Sequence, residues 1–384
     1  MAAPTADRYV VASGQDVYAG RGLFSRAALA ITTDAAVFAG GASASPTALA
    51  LACASLTPGV VTALANTSLN TVQSNGTKPW EQPNDGISVP MLDWANHMEY
   101  DPGRKIIVTG GGRPYQRGPS QKVVWYDEAT NVWADQIDPW GGNGGGHIYN
   151  ASTVAPGPGM LLSAPFGSAG SLGGGSGWVY KWNLDTKVFA GLINPPANGS
   201  VPWDPLCAVQ WMPNLGAQGS LLFYNKNSNS RIMRLDWASQ VWSQLATGVA
   251  GYASIPAVAI RISNPDIALI GTSGGSNGLA IVNGTTGAVT TTANPPTVVG
   301  INGSAVGGYL VMHPNGNTAV LFSNVTQRIY EYDPGANTWT DRGALPATLQ
   351  SGYSIYCALP SYGAWLIVDR ITGPILSYLL RPNF

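Results

Sequence analysis

Tyr332-Asp-Pro-Gly-Ala-Asn-Thr-Trp339 is the stretch whose reading decides the fold, because the chain repeats it. Tyr126-Asp-Glu-Ala-Thr-Asn-Val-Trp133 is a close copy, and looser ones occupy 54–61, 182–189, 235–242 and 282–289. In all six, Asp, Asn or Ser stands six residues before an aromatic residue or valine. A small or turn-favouring residue (Pro58, Thr130, Thr186, Ser239, Thr286, Ala336) stands three before it. The final positions are Val61, Trp133, Phe189, Trp242, Val289 and Trp339, separated by 72, 56, 53, 47 and 50 residues. Periods near 50 with aromatic and turn signals indicate propeller blades or a related array.

Each copy reads as a hairpin joining the two outer strands of a blade. The preceding strand alternates, as in Lys122–Tyr126 and Arg328–Tyr332. Asp or Asn opens the turn by accepting from backbone amides two residues on. The aromatic residue then starts the outermost strand and packs against the neighbouring blade. Two more strand signals precede each copy: in the second unit, Asn96–Tyr100, a turn at Asp101-Pro-Gly103, and Lys105–Thr109 running into Gly110-Gly-Gly112.

Four strands per unit, with glycines closing the second and Tyr-Asp…Trp joining the last two, resemble the Kelch repeat and so the galactose-oxidase-like propellers. The tail counts the blades. After Trp339 three strand signals remain (Tyr353–Leu359, Ala364–Asp369, Pro374–Leu380), and the N-terminus offers Asp7–Ser13 as a fourth. The expectation is an all-β, seven-bladed Kelch-like β-propeller in a single domain, 1–384. Residues 1–25 supply the closing strand and a connector, so that no strand edge is left exposed. Blade one spans 26–65, and 66–90 form an inserted loop. A six-bladed ring with a separate N-terminal segment is the alternative.

Composition fits that architecture: 48 glycines, 28 prolines, 13 tryptophans and 16 tyrosines suit short strands and turns. A net charge of −1 without a basic run gives a nucleic-acid partner no electrostatic support. Residues 46–65 are apolar, but Pro58-Gly59 and the repeat favour blade strands over membrane insertion. Met1–Arg8 has neither a basic start nor an apolar core, so no secretion signal is expected. Cys53, Cys207 and Cys357 fall in separate strand-like contexts and read as buried free thiols.

Loops between blades, and those after second strands, gather on one face of a propeller. Here they carry the aromatic residues Trp80, Trp94, Trp140, Trp203, Tyr115, Tyr252 and Tyr353, together with Asp85, Asp204, Arg113, Arg117, His97 and His147. Aromatic faces with Asp and Arg at their edges suit sugar rings; the bland alternative is that several of these residues plug the space between blades. The galactose-oxidase resemblance implies a copper site with two Tyr, two His and a cross-linked Cys. Only three histidines exist, and His313 lies in a Pro-Asn-Gly turn expected to be solvated. No cofactor, metal or catalytic set is expected. Of the four glutamates, Glu81, Glu99, Glu128 and Glu331, the last two fall in blade hairpins. Asp85, Asp93 and Asp204 leave paired-carboxylate chemistry open.

Trp94–Gly112 resembles the blade signature of Kelch-like propellers encoded by tailed bacteriophages. That resemblance implies a non-enzymatic virion protein made in the host cytoplasm. It would sit on the tail or capsid exterior, its partners being other virion proteins and host-surface carbohydrate or receptor. A carbohydrate-active enzyme and a free-standing protein-binding propeller are the alternatives.

Overall fold

A computed structural model describes residues 46–65, 97–112, 121–137, 150–164, 179–194, 207–225, 230–249, 257–271, 278–301, 307–349, 354–369 and 376–384. The chain divides into two compact units, Met1–Pro46 and Thr47–Phe384, and every element below belongs to the second. Among its described residues six antiparallel sheets follow one another, five running in chain order from an inner to an outer strand and the sixth taking its outer strand from earlier in the chain.

Blade I comprises β2 (Glu99–Asp101), β3 (Ile106–Gly112), β4 (Gln121–Asp127) and β5 (Val132–Ile137). Blade II comprises β6 (Ser152–Ala155), β7 (Met160–Ser163), β8 (Val179–Asn183) and β9 (Phe189–Ile193). Blade III follows with β10 (Ala208–Met212), β11 (Ser220–Asn225), β12 (Arg231–Asp236) and β13 (Val241–Ala246). Blade IV has β14 (Val258–Ser263), β15 (Asp266–Gly271), β16 (Ala280–Asn283) and β17 (Val289–Thr291). Blade V has β19 (Gly307–Met312), β20 (Ala319–Ser323), β21 (Arg328–Asp333) and β22 (Thr338–Ala344), with β18 (Gly300–Ile301) added on its inner edge. Blade VI has β23 (Ile355–Leu359), β24 (Ala364–Asp369) and β25 (Leu376–Leu380). Its outer place is taken by β1 (Val61–Ala63), with Val61 opposite Leu380 and Ala63 opposite Tyr378.

Inner strands touch in cyclic order, β2 to β6, β10, β14, β19 and β23, and β23 touches β2 again. The ring therefore closes at six blades, and the fold is an all-β propeller. This corrects the seven-blade expectation and bears out the six-blade alternative. Blades I to VI are the expected second to seventh units. The expected first unit gives no blade among the described residues. Ala48–Ala54 forms helix α1, an Ala/Leu run of high helix propensity whose N-terminus is capped by Thr47 Oγ1 accepting from Ala50 N at 3.1 Å. Val61 does begin an outer strand, as the repeat required, but that of blade VI. It holds the place assigned to Asp7–Ser13, which lie outside the described residues. Cys53 accordingly sits in a helix, not a strand; all three cysteines are buried. Among the described residues no helix is long and apolar enough to cross a membrane.

The repeated phrase has the local chemistry expected of it. Asp127, Asn183, Asp236, Asn283 and Asp333 each accept at Oδ1 from turn amides, at 2.7–3.1 Å. Two residues before each final position the chain turns left-handed, at Gly59, Asn131, Lys187, Gln240, Gly287 and Asn337, with φ between 52° and 77°. Burial falls from the axis outward: β10 is buried throughout, while every residue of β13 is exposed or half-buried. The apolar core lies in the seams, where one blade's face meets the next; Met212, Leu222 and Tyr224 of blade III, for example, pack with Ala259, Ala268 and Ile270 of blade IV.

Candidate functional site at the inner strands

The inner strands of blades I to III converge on one carboxylate. Glu99 Oε1 lies 2.5 Å from His97 Nε2, 2.9 Å from the donating Thr153 hydroxyl and 3.2 Å from Gln210 Nε2. Its Oε2 accepts from Val154 N at 2.6 Å. Thr153 Oγ1 in turn accepts from Trp211 N at 3.1 Å, joining blade II to blade III. Burial alone would raise the Glu99 pKa. The adjacent His97 and the bonds from Val154 and Thr153 outweigh it and hold the carboxyl below its ordinary value. Glu99 is therefore an anion at neutral pH, oriented by donors from two neighbouring blades.

Holding Nε2 against a carboxylate fixes the tautomer of His97 and leaves Nδ1 for other work. Thr109 Oγ1 donates to the His97 carbonyl at 2.6 Å, anchoring the residue's backbone to the second strand of its blade. Gln210 is 4% exposed, and its Oε1 is buried without a hydrogen-bond partner. The cluster thus offers an oriented imidazole and a spare amide carbonyl. Among the described residues no three His, Cys, Asp or Glu side chains gather as a metal site would require.

A second carboxylate is tied down at the seam between blades VI and I. Glu128, 1% exposed, accepts from the hydroxyls of Thr47 at 2.7 Å, Tyr100 at 2.9 Å and Tyr362. Burial, then Glu128 itself, pushes the Tyr100 and Tyr362 phenols above their ordinary values. Nearby, burial pushes the Cys53 thiol up to about 11 despite Arg381, which donates to the Cys53 carbonyl at 2.7 Å. This group fastens the helix cap, one inner strand and the turn after another; its chemistry is that of a clasp.

Of the residues expected on the loop face, His97 is placed, and it is at the convergence point. Trp80, Asp85, Trp94, Arg113, Tyr115, Arg117, Trp140, His147, Trp203, Asp204, Tyr252 and Tyr353 lie outside the described residues, as does Asp93. His313 is not solvated. It is 4% exposed, packed edge-on against Trp365 at 5.3 Å and Phe384 at 5.7 Å. Glu99 was legible beside His97, since residues two apart in the expected strand 96–100 would share a face, although β2 itself begins at Glu99. Thr153 and Gln210 carried no signal beyond lying in strands.

No family model matches this chain, and no curated protein matches it. Solved structures with a similar fold include TolB from Acinetobacter baumannii, at 12% identity and TM-score 0.41 over 64% of this chain and 53% of that one. This chain thus spans about half the length of that protein. A nidogen/laminin complex aligns at 8% identity and TM-score 0.44, over 67% of this chain and 81% of the other. Streptogramin B lyase aligns at 10% identity and TM-score 0.43, over 77% and 86%. At these identities the likeness is one of architecture and lends this chain no activity, ligand or partner.

Proposed function

We propose that this chain is a non-enzymatic, Kelch-like binding propeller of a bacteriophage particle. It is carried on the tail or capsid exterior, docks to other virion proteins and engages host-surface carbohydrate or another receptor. The observation that carries the reading is how its described glutamates are used. Glu99 ties three inner strands together, Glu128 fastens the ring closure, and Glu331 accepts from Thr318 at 2.5 Å and Arg342 at 2.8 Å. Each is committed to holding strands in place. The resemblance of Trp94–Gly112 to phage propeller blades supplies the setting, and the aromatic residues of the loops suit sugar faces.

A specific observation favours one second reading, a carbohydrate-active enzyme: His97, oriented by Glu99, has the arrangement of a general base. One set of measurements tests both. Mass spectrometry of purified particles should find the chain in stoichiometric amount, and host polysaccharide should bind without being cut. Absence from particles overturns the first reading. Release of reducing sugar that is lost in His97→Ala establishes the second.

A further inference from the structure

The five hairpins are built alike, yet their final residue is not the same, and the seam before blade IV lacks the aromatic residue found there in its sisters. In blade III that residue, Trp242, donates its indole N–H across the seam to the Asn194 carbonyl at the end of blade II, at 2.9 Å. Trp339 of blade V donates likewise to the Ala293 carbonyl at the end of blade IV, at 3.1 Å. Blade IV has Val289 in this position. The equivalence is geometric: Val289 pairs with Val282 just as Trp242 pairs with Leu235 and Trp339 with Tyr332, and each follows a left-handed residue two positions earlier.

Between blades III and IV there is a cavity of about 520 Å³, lined by Leu245, Thr247 and Val249 on one side and by Gly278, Val289 and Thr291 on the other. That volume lies within the roughly 300–1,000 Å³ range of small-molecule sites. Its polar feature is also in register. Asn194 comes immediately after the last residue paired with the third strand, Ala293 comes one further on, after Thr292, whose N donates to the Leu279 carbonyl at 2.8 Å, and Thr247 follows the last paired residue in blade III. The other valine of the set, Val61 in blade VI, packs instead against the apolar cluster that holds Leu49, Leu56, Leu345 and Leu349.

We propose that the blade III–IV seam is a binding site for a planar aromatic heterocycle carrying an N–H donor, an indole-class ligand. The ring would lie where Trp242 and Trp339 lie in their own seams, between Leu245, Val249 and Val289, with its N–H directed to the Thr247 carbonyl. An indole buries a large apolar face and brings one donor that needs an acceptor, and the slot supplies both halves of that demand. The inference stands on the repeat's geometry and does not depend on the virion reading.

The test uses the full chain and free indole as probe, followed by thermal unfolding and by methyl NMR of Leu245, Val249 and Val289. Indole should raise Tm in a concentration-dependent way and shift those methyl signals; 1-methylindole, which has the ring without the donor, should do so less. Val289→Trp, which restores the residue of the sister seams, should raise Tm by itself and abolish the response to indole. Val289→Phe, a smaller change, should block indole without supplying the donor. Adding N-acetyl-tryptophanamide separates the sources. A response to it as well as to indole identifies a tryptophan side chain of another chain as the natural occupant, and a response to indole alone identifies a free heterocycle. No shift with either probe overturns the proposal, as does an undiminished indole response in both variants. An equal response to 1-methylindole overturns the role of Thr247.

Discussion

The indole N–H of Trp339 and the carbonyl of Ala293 meet at 3.1 Å across the seam between blades V and IV. Ala293 N also donates to Asn337 Oδ1 at 2.6 Å, so one residue at the end of blade IV is held twice by the hairpin of blade V. Asn337 Oδ1 accepts in addition from the Tyr332 hydroxyl at 2.8 Å. The repeated phrase is therefore both a turn and a fastener: its tyrosine, asparagine and tryptophan are the residues that reach the neighbour or brace the one that does.

Trp339→Phe keeps an aromatic ring in the seam and removes the donor. A net hydrogen bond contributes about 1 kcal/mol, so Tm should fall by a few degrees with the urea m-value unchanged. Loss of several times that amount would mean that the ring, not the bond, carries the seam.

Asn337→Gly and Asn337→Ala separate two contributions. Both lose the bonds from Tyr332 and Ala293, while alanine must also adopt φ 52°, which costs about 1–2 kcal/mol for a residue with a Cβ. Urea denaturation should place Ala below Gly by about that difference. Equal stabilities would show that the turn relaxes.

Glu128→Gln should be costly, because the amide presents an NH2 group to a site built from the Thr47, Tyr100 and Tyr362 hydroxyl donors. Leaving a buried polar group unsatisfied costs about 1–3 kcal/mol. Tyr362→Phe removes one donor and leaves the carboxylate two, so it should cost less. The urea midpoints should rank wild type, Tyr362→Phe, Glu128→Gln in falling order.

His313 gives a pH dependence with a definite sign. Burial pushes its pKa down, against the opposing effects of Glu331 and the Asn315 side chain, while Arg342 adds to the lowering; its Nδ1 accepts from Asn315 N at 3.1 Å. Its Nε2 is buried without a hydrogen-bond partner. The unfolded chain takes up the proton first, near the ordinary histidine value of about 6.5. Stability is therefore full above that pH and is lost as pH falls from there towards the lower folded value. Glu99, also lowered, adds a loss at more acid pH. Chemical denaturation in steps from pH 8 to pH 5 should show a weaker slope in His313→Asn than in wild type; an identical slope would exclude His313 as its source.

Most of the ring could be read from the chain because the hairpin phrase is local. An acceptor, a left-handed residue and an aromatic at fixed offsets leave the same trace wherever they occur, even in the degenerate copy ending at Val289. The blade count could not be read that way. Whether β23 meets β2 is a contact between Ile355–Leu359 and Glu99–Asp101 that no local pattern encodes. The stretch at 54–61 matched the phrase through Ser55, Pro58 and Val61, while the residues leading into it, Ala48–Ala54, form a helix capped by Thr47. The axial cluster was half legible. His97 and Glu99 stand two residues apart in the expected strand 96–100, of which only Glu99 onward forms β2, and Thr153 and Gln210 join them only because three blades are brought to one axis. His313 misled because a Pro-Asn-Gly turn is ordinarily wet, and it is Trp365 and Phe384, distant in sequence, that bury it.

The pairing of Val61–Ala63 with Leu376–Leu380 has a consequence in time. On a ribosome the first of these strands emerges more than three hundred residues before its partner, and for most of that interval blade VI consists of this strand alone. Contacts of such sequence separation slow folding, and domains in synthesis expose unpaired edges meanwhile. Five blades can be assembled as they are made, whereas the circle closes only once β25 exists, and Val61–Ala63 must wait for it unpaired.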